Sequence, residues 1–284
     1  MPLESTIELI GDFFRKATGL RHAAFDFWVC YNDPQKAQFS QLLENVERWS
    51  GPPSVYLDQT DLITSKSIIH QYLPGALEAA QITEWCDSEQ YSMLKAQCPT
   101  LKRLYLTETG GKSHGNTARL MIRSMDYNVV NKIDTDFRQL EWLVLKEDEL
   151  CLKCIRKPIS QSPEFLNHLN QIIENLTQSL RAMPRLTRFA CTLARQRLHN
   201  CIIREDWSET GCRAVTDAEL DTWYSALIFR ISKSVPRLKH LCIASDDYTF
   251  YRGTKTVRQA VMEVRRERFD DPGQRYRFPT MLVD

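Results

Sequence analysis

The chain has 284 residues, 43% hydrophobic and 26% charged, with 37 lysines and arginines against 36 aspartates and glutamates. This is an ordinary soluble balance, and the length suffices to bury a sizeable core. A formal net charge of +1 excludes a global field aimed at nucleic acid or membrane, so any electrostatic recognition must be local.

In chain order, the first stretch, Met1 to Gly19, sets Glu4, Glu8, Asp12, Arg15 and Lys16 among its apolar residues, which is not the pattern of a secretory signal. No window approaches the roughly 20 apolar residues of a membrane span. Nine cysteines without regular spacing then read as reduced, buried thiols, and the expected location is cytoplasmic or nuclear.

A short motif recurs from Leu20 onward. Three segments are near copies: Cys98-Pro99-Thr100-Leu101-Lys102-Arg103-Leu104-Tyr105-Leu106, Met183-Pro184-Arg185-Leu186-Thr187-Arg188-Phe189-Ala190-Cys191 and Val235-Pro236-Arg237-Leu238-Lys239-His240-Leu241-Cys242-Ile243. Each reads apolar-Pro-x-Leu-x-x-apolar-x-apolar. Weaker copies at Leu20, Pro52, Leu77 and Leu140 bring the candidate units to seven, starting at residues 20, 52, 77, 101, 140, 186 and 238. Early units are near the usual leucine-rich period of about 20–29 residues, and later ones carry insertions at 110–132, 147–164 and 199–216.

Amphipathic helices are predicted between the strands. Asp33-Pro34 opens one with Phe39, Leu42, Leu43 and Val46 on its stripe. Ser162-Pro163 opens another with Phe165, Leu169, Ile172, Ile173, Leu176 and Leu180. The capping box Thr216-Asp217-Ala218-Glu219 opens a third with Leu220, Trp223, Leu227 and Ile231. Proline before the strand ends the preceding helix and sets the turn, except ahead of Leu140, where the proline is missing, and the fourth and sixth positions of the strand alternate inward. The expected fold is α/β: a leucine-rich-repeat-like right-handed solenoid over residues 1–269, with a concave parallel sheet and helices on the convex side. A doubly wound sheet is the competing reading, but polar residues such as Arg103, Glu141, Arg188 and Lys239 suit a one-sided sheet better. The basic stretch after Arg252, with Val257, Ala260, Val261 and Val264, is expected to close the last repeat, and 270–284 to form a polar tail.

The repeated Pro-x-Leu-x-x-Leu-x-Leu behind a helix resembles the leucine-rich-repeat region of fungal F-box-like proteins, over about residues 5–265. The resemblance implies substrate recognition for a cullin-RING ubiquitin ligase, and a ligase adaptor among the partners. Met1-Pro2-Leu3-Glu4 looks like an F-box opening, but with about one helix ahead of Leu20 the three-helix F-box is not recognisable.

In such a stack the second, third and fifth positions face outward. The third column reads His22, Ser54, Ala79, Arg103, Trp142, Arg188, His240, and the fifth Ala24, Tyr56, Gln81, Tyr105, Val144, Ala190, Cys242. An exposed array of Arg, Trp and Tyr has the composition of interface anchors. The expected protein-binding patch is therefore Arg103, Tyr105, Trp142 and Arg188, flanked by Lys102, Lys239, His240 and Tyr56. The alternative class is nucleic-acid binding through Arg181, Arg185, Arg188, Arg195, Arg197, Arg204 and the basic C-terminal segment, which the near-neutral charge disfavours.

Neither a catalytic site nor a cofactor is expected. Cys151-Leu152-Lys153-Cys154 lacks the second ligand pair that structural zinc needs. Gly110-Gly111-Lys112-Ser113 lacks the earlier glycine of a phosphate loop, because Leu106 stands there. The six histidines form no local catalytic motif.

Overall fold

The computed structural model describes residues 9, 11–12, 16, 19–24, 33–44, 47–57, 62–82, 88–108, 123–147, 163–193, 216–246, 248–255, 262–269, 271 and 277–282. Most of the three insertions lie outside these residues, as do Cys151, Cys154, residues 110–113, Arg195, Arg197, Arg204, Val257, Ala260 and Val261. The chain packs as two compact units, Met1–Thr107 with Thr135–Glu141, and Glu108–Asp134 with Trp142–Asp284.

The first unit alternates strands and helices: β1 (His22–Ala24), α1 (Asp33–Glu44), β2 (Ser54–Leu57), α2 (Leu62–Gln71), β3 (Ala79–Ile82), α3 (Glu89–Gln97) and β4 (Arg103–Glu108). Within the unit β1 pairs in parallel with β2, β2 with β3 and β3 with β4, in the register His22↔Ser54↔Ala79↔Arg103. Ala24, Tyr56, Gln81 and Tyr105 align in the same way two residues on. These are the columns expected from the aligned segments. The helices lie side by side, joined by polar contacts: Gln71 Nε2 donates to the Leu43 carbonyl at 2.5 Å, and Gln90 donates to Ser65.

The second unit begins with a 3₁₀ turn (Arg123–Met125) and α4 (Tyr127–Asp136), whose last residues belong to the first unit. It continues with β5 (Trp142–Glu147), α5 (Pro163–Ala182), β6 (Arg188–Thr192), α6 (Asp217–Ser234), β7 (His240–Ala244), β8 (Thr249–Thr254) and β9 (Glu263–Arg268). β5, β6 and β7 are parallel, in the register Trp142↔Arg188↔His240. β8 and β9 then reverse: β8 pairs antiparallel with β7, and β9 antiparallel with β8. The sheet of this unit thus ends in an antiparallel strand pair, while Val257, Ala260 and Val261 of the expected closing element lie outside the described residues.

One local device precedes the strands. The amides of Leu101, Leu140 and Leu238 donate to the carbonyls of Cys98, Phe137 and Val235, each at 3.1 Å, closing a tight turn behind each helix. Pro99 and Pro236 fill the second turn position, where a fixed φ is favoured and no N–H is required. The leucine leaving the turn is then driven inside: Leu101, Leu186 and Leu238 are fully buried, and Leu140 nearly so. In the next step the amides of Lys102 and Arg103 both donate to the Glu78 carbonyl, at 2.9 and 3.0 Å, and those of Lys239 and His240 to the Thr187 carbonyl, at 2.7 and 3.2 Å. Glu78 and Ala79 share the Pro53 carbonyl in the same way, at 2.7 and 2.9 Å.

The fourth and sixth strand positions form the core, with Leu104, Leu106, Leu143, Leu145, Phe189, Leu241 and Ile243 fully buried. In the second unit α6 covers this face. Its capping box is formed as expected, with Glu219 N donating to Thr216 Oγ1 at 3.3 Å and Thr216 N to Glu219 Oε2 at 2.9 Å. Its buried stripe runs through Leu220, Tyr224, Leu227, Ile228 and Ile231, so Tyr224 takes the place expected of Trp223. Tyr224 stacks on Tyr251 of β8 at 4.3 Å and donates its hydroxyl to the Leu193 carbonyl at 2.6 Å. Trp223, one position earlier, is half-buried.

A buried polar knot joins β5, β6 and the 3₁₀ turn. Ser124 N donates to Glu147 Oε1 at 2.8 Å, Ser124 Oγ to the Thr192 carbonyl at 2.5 Å, and Glu147 N to Thr192 Oγ1 at 3.1 Å. At the helix side of β8, a Cβ placed on Gly253 would stand 2.5 Å from Ile228 Cγ2 and 2.9 Å from Met262 Sδ. Ile228 is β-branched and locked at χ1 in a helix, so it yields little. Gly253→Ala should therefore destabilise the protein by about 1–3 kcal/mol, measured as a lower urea midpoint at unchanged slope. An unchanged midpoint would contradict the close packing of α6 on β8.

Candidate functional site

Strand alternation places the third and fifth positions on the face opposite the core. In the first unit this face carries Arg103, half-buried and in register with Ala79 of the neighbouring strand. Lys102 stands just before β4 and pairs with Glu78 at 2.6 Å. Tyr56 and Tyr105, expected to be exposed anchors, are only 5% and 6% accessible. Residues at the same position on adjacent strands stand about 4.8 Å apart, so a ring in a complete column is walled by its neighbours. Burial holds the His22 imidazole below its ordinary value, and the charges of Arg103 and Arg21 lower it further.

In the second unit the same face is more elaborate. Trp142, Arg188 and His240 sit side by side at the third position of β5, β6 and β7. The expectation that Trp142 is exposed is corrected: it is 4% accessible. The Arg188 guanidinium lies over its ring at 3.9 Å, and Phe278 meets it edge-on with centroids 5.9 Å apart. Phe278 comes from the segment read as a polar tail, where Phe278 and Leu282 are in fact buried. Trp142 is therefore a floor on which Arg188 is held, by cation–π attraction and by packing. Lys239 is exposed just ahead of β7.

β8 and β9 extend this face with charge. Arg252 and Thr254 alternate along β8, opposite Arg265 and Glu263 of β9. The Arg252 and Glu267 side chains pair at 2.7 Å while only 11% and 17% exposed. Arg265 pairs with Glu263 at 2.6 Å near solvent. Between these strands, β6, β7 and the segment of Arg277 and Phe278 lies a recess of about 420 Å³. Arg188, His240, Arg252, Arg265 and Arg277 all border it, with Glu263 and Glu267 as the acids among its described lining residues.

Of the expected site residues, the structure brings Trp142, Arg188 and His240 together. Tyr56, Lys102, Arg103 and Tyr105 belong to the other unit. Sequence reasoning missed Arg252, Glu263, Arg265, Glu267 and Arg277. Glu263, Arg265 and Glu267 share one face of β9, but Arg266 and Arg268 on its other face hide the alternation, and Arg277 lies outside both strands.

The thiols within the described residues are not poised for chemistry. Burial pushes Cys98 and Cys242 up to about 12, and burial with the nearby Glu147 charge pushes Cys191 higher still. A thiolate is the nucleophilic form, so these three pack as small apolar groups. Among the described residues no three His, Cys, Asp or Glu side chains gather around one point, and no helix is long and apolar enough to cross a membrane. Comparison of the chain with protein-family models, with curated proteins and with solved structures returns no match.

The Trp142–Phe278 contact is directly testable. Phe278→Ala should cost about 3–5 kcal/mol as a large-to-small change in a buried site. In a double-mutant cycle with Trp142→Ala, a coupling of about 1 kcal/mol is expected for the edge-to-face pair. Additive losses would show that the C-terminal segment does not cover Trp142.

Proposed function

We propose that this chain is a non-enzymatic protein-recognition module of the leucine-rich-repeat kind, a solenoid that binds a partner protein on the face of its strands turned away from the helices. The observation that carries the reading is the register of the strands. It aligns chemically varied side chains into columns on that face, while the opposite face is uniformly apolar and buried. A face built only for solubility has no need of arginine stacked over tryptophan beside a charged recess. Arginine and aromatic groups at the centre of a patch are the usual energetic anchors of an interface. The resemblance to fungal F-box-like repeats extends the proposal to substrate recognition of the ubiquitin-ligase type, with a cullin-RING adaptor among the partners.

Burial decides which residues test it. Trp142→Ala would remove a buried ring at a cost of about 3–5 kcal/mol, so loss of binding in that variant would not separate recognition from unfolding. Arg188→Glu and Arg277→Glu reverse charge at the recess, and Arg185→Glu makes the same change on an exposed turn outside it. Affinity capture from the native cell, quantified by mass spectrometry, should show partners retained by wild type and Arg185→Glu and lost by both recess variants. Capture of cullin adaptors would place the partners in a ligase. Equal retention by all four chains would contradict the face assignment.

A further inference from the structure

We propose that the rim of the second unit at the starts of β6 and β7 binds the phosphate backbones of a double-stranded nucleic acid, independently of the strand face. The turns joining α5 to β6 and α6 to β7 meet on this rim, with Lys255 just after β8. Hydrogen bonds hold them together. Arg181 Nε donates to the Ser234 carbonyl at 2.5 Å, Lys239 N to the Thr187 carbonyl at 2.7 Å and Lys255 N to the Lys239 carbonyl at 2.8 Å. Arg181, Arg185, Lys233, Lys239 and Lys255 all stand here, while residues 180–189, 232–240 and 253–255 contain no Asp or Glu. None of the five cations forms an ion pair among the described residues.

Helix capping accounts for only part of this charge. Arg181 and Lys255 donate to the carbonyls of Ser234 and Pro236 at the end of α6, and Arg237 to that of Leu180 at the end of α5. A carbonyl fixes a cation in place without neutralising it. Arg237 also feels the charge of the buried Asp134, so it is not counted among the five. Glu263, opposite Thr254 on β9, is taken by Arg265 at 2.6 Å. Arg185, Lys233 and Lys239 are exposed and make neither a hydrogen bond nor an ion pair, so capping has no use for them. The near-neutral net charge of the whole chain makes this concentration a local feature.

The layout of the cations selects the ligand. Arg181 and Lys233 stand at the helix ends, Lys239 and Lys255 at the ends of strands, and Arg185 in the turn between. Packed layers lie about 10 Å apart, so the cations form two rows at roughly that spacing. A duplex presents two phosphate lines flanking a major groove about 12 Å wide, whereas a single strand or an extended acidic peptide presents one line. A lipid surface fits less well, because the exposed aromatics Tyr127, Phe229 and Tyr248 of this unit all lie outside the rim segments and leave nothing apolar there to insert. The same lack of rim aromatics removes the stacking platforms of single-strand binders. Recognition is therefore of the backbone, without reading of sequence.

Fluorescence anisotropy of a labelled DNA duplex, titrated with the full chain between about 50 and 200 mM salt, tests the site without any protein partner. Five phosphate contacts should give a slope of log affinity against log salt of about −4 to −5. Arg185→Gln, Lys233→Gln and Lys239→Gln should each flatten the slope by about one, and the triple variant should weaken binding at least about tenfold. These side chains are exposed and unbonded, so the variants should keep their circular dichroism and urea midpoint. Arg265→Gln, at the recess, should leave both slope and affinity unchanged. Duplexes of unrelated sequence should bind alike.

Absence of duplex binding at about 50 mM salt, or a triple variant that binds like wild type, would overturn the rim as a nucleic-acid site. Tighter binding of the single strand, of polyglutamate or of phosphatidylserine vesicles would overturn the duplex as its ligand. The separation from protein recognition is tested by capture in the presence of nuclease. Partners kept by the triple variant while duplex binding is lost support two independent surfaces, and partners lost with it overturn that independence.

Discussion

The structure depends on a single shared acceptor at the start of its strands. The carbonyls of Pro53 and Glu78 in the first unit and of Thr187 in the second each receive two consecutive amides from the start of the next strand. Just before them, the leucine that leaves the turn is buried under the helix. These two constraints act in opposite directions along the chain, so a slip of one residue would break both. Such a slip would also move every side chain of the strand to the other face. Register, helix placement and the identity of the outward face therefore follow from one turn and its leucine.

The second unit adds an ending. A parallel sheet leaves an edge of unpaired backbone groups that invites further strands. Here β8 and β9 turn back antiparallel, and β9 presents Glu263, Arg265, Arg266, Glu267 and Arg268 at the edge. The same charges that discourage edge pairing line the recess, so closure of the sheet and construction of the site are one device. The C-terminal segment completes it by bringing Phe278 against Trp142 and Arg277 to the rim.

Much of this was legible in the sequence because the information is local. The proline turn, the buried leucine and the two outward columns are set within nine residues of each copy, and aligning the copies is enough to predict the observed pairing. What was not legible depends on distant partners. Nothing near Trp142 shows that Phe278 will cover it, and the two aromatics Tyr276 and Phe278 of a short segment have no period to read. Trp223 and Tyr224 lie at i+3 and i+4 from Leu220, and both spacings fit a helical stripe. Tyr224 faces inward because Tyr251 and the Leu193 carbonyl receive it, and both belong to other elements. The recess was missed for a related reason. Its charges come from β6, β8, β9 and the segment at Arg277, and no repeat announces the antiparallel pairing that brings them together.

Recognition on the strand face of the second unit, and not on its helices, is what the proposed function requires. Covalent footprinting of arginines with phenylglyoxal, in the chain alone and with its captured partner, tests this most directly. The account predicts that Arg265 and Arg277 lose reactivity on binding while Arg181 and Arg230, at the end of α5 and on α6, keep theirs. Protection of Arg181 and Arg230 with Arg265 and Arg277 still reactive would contradict it.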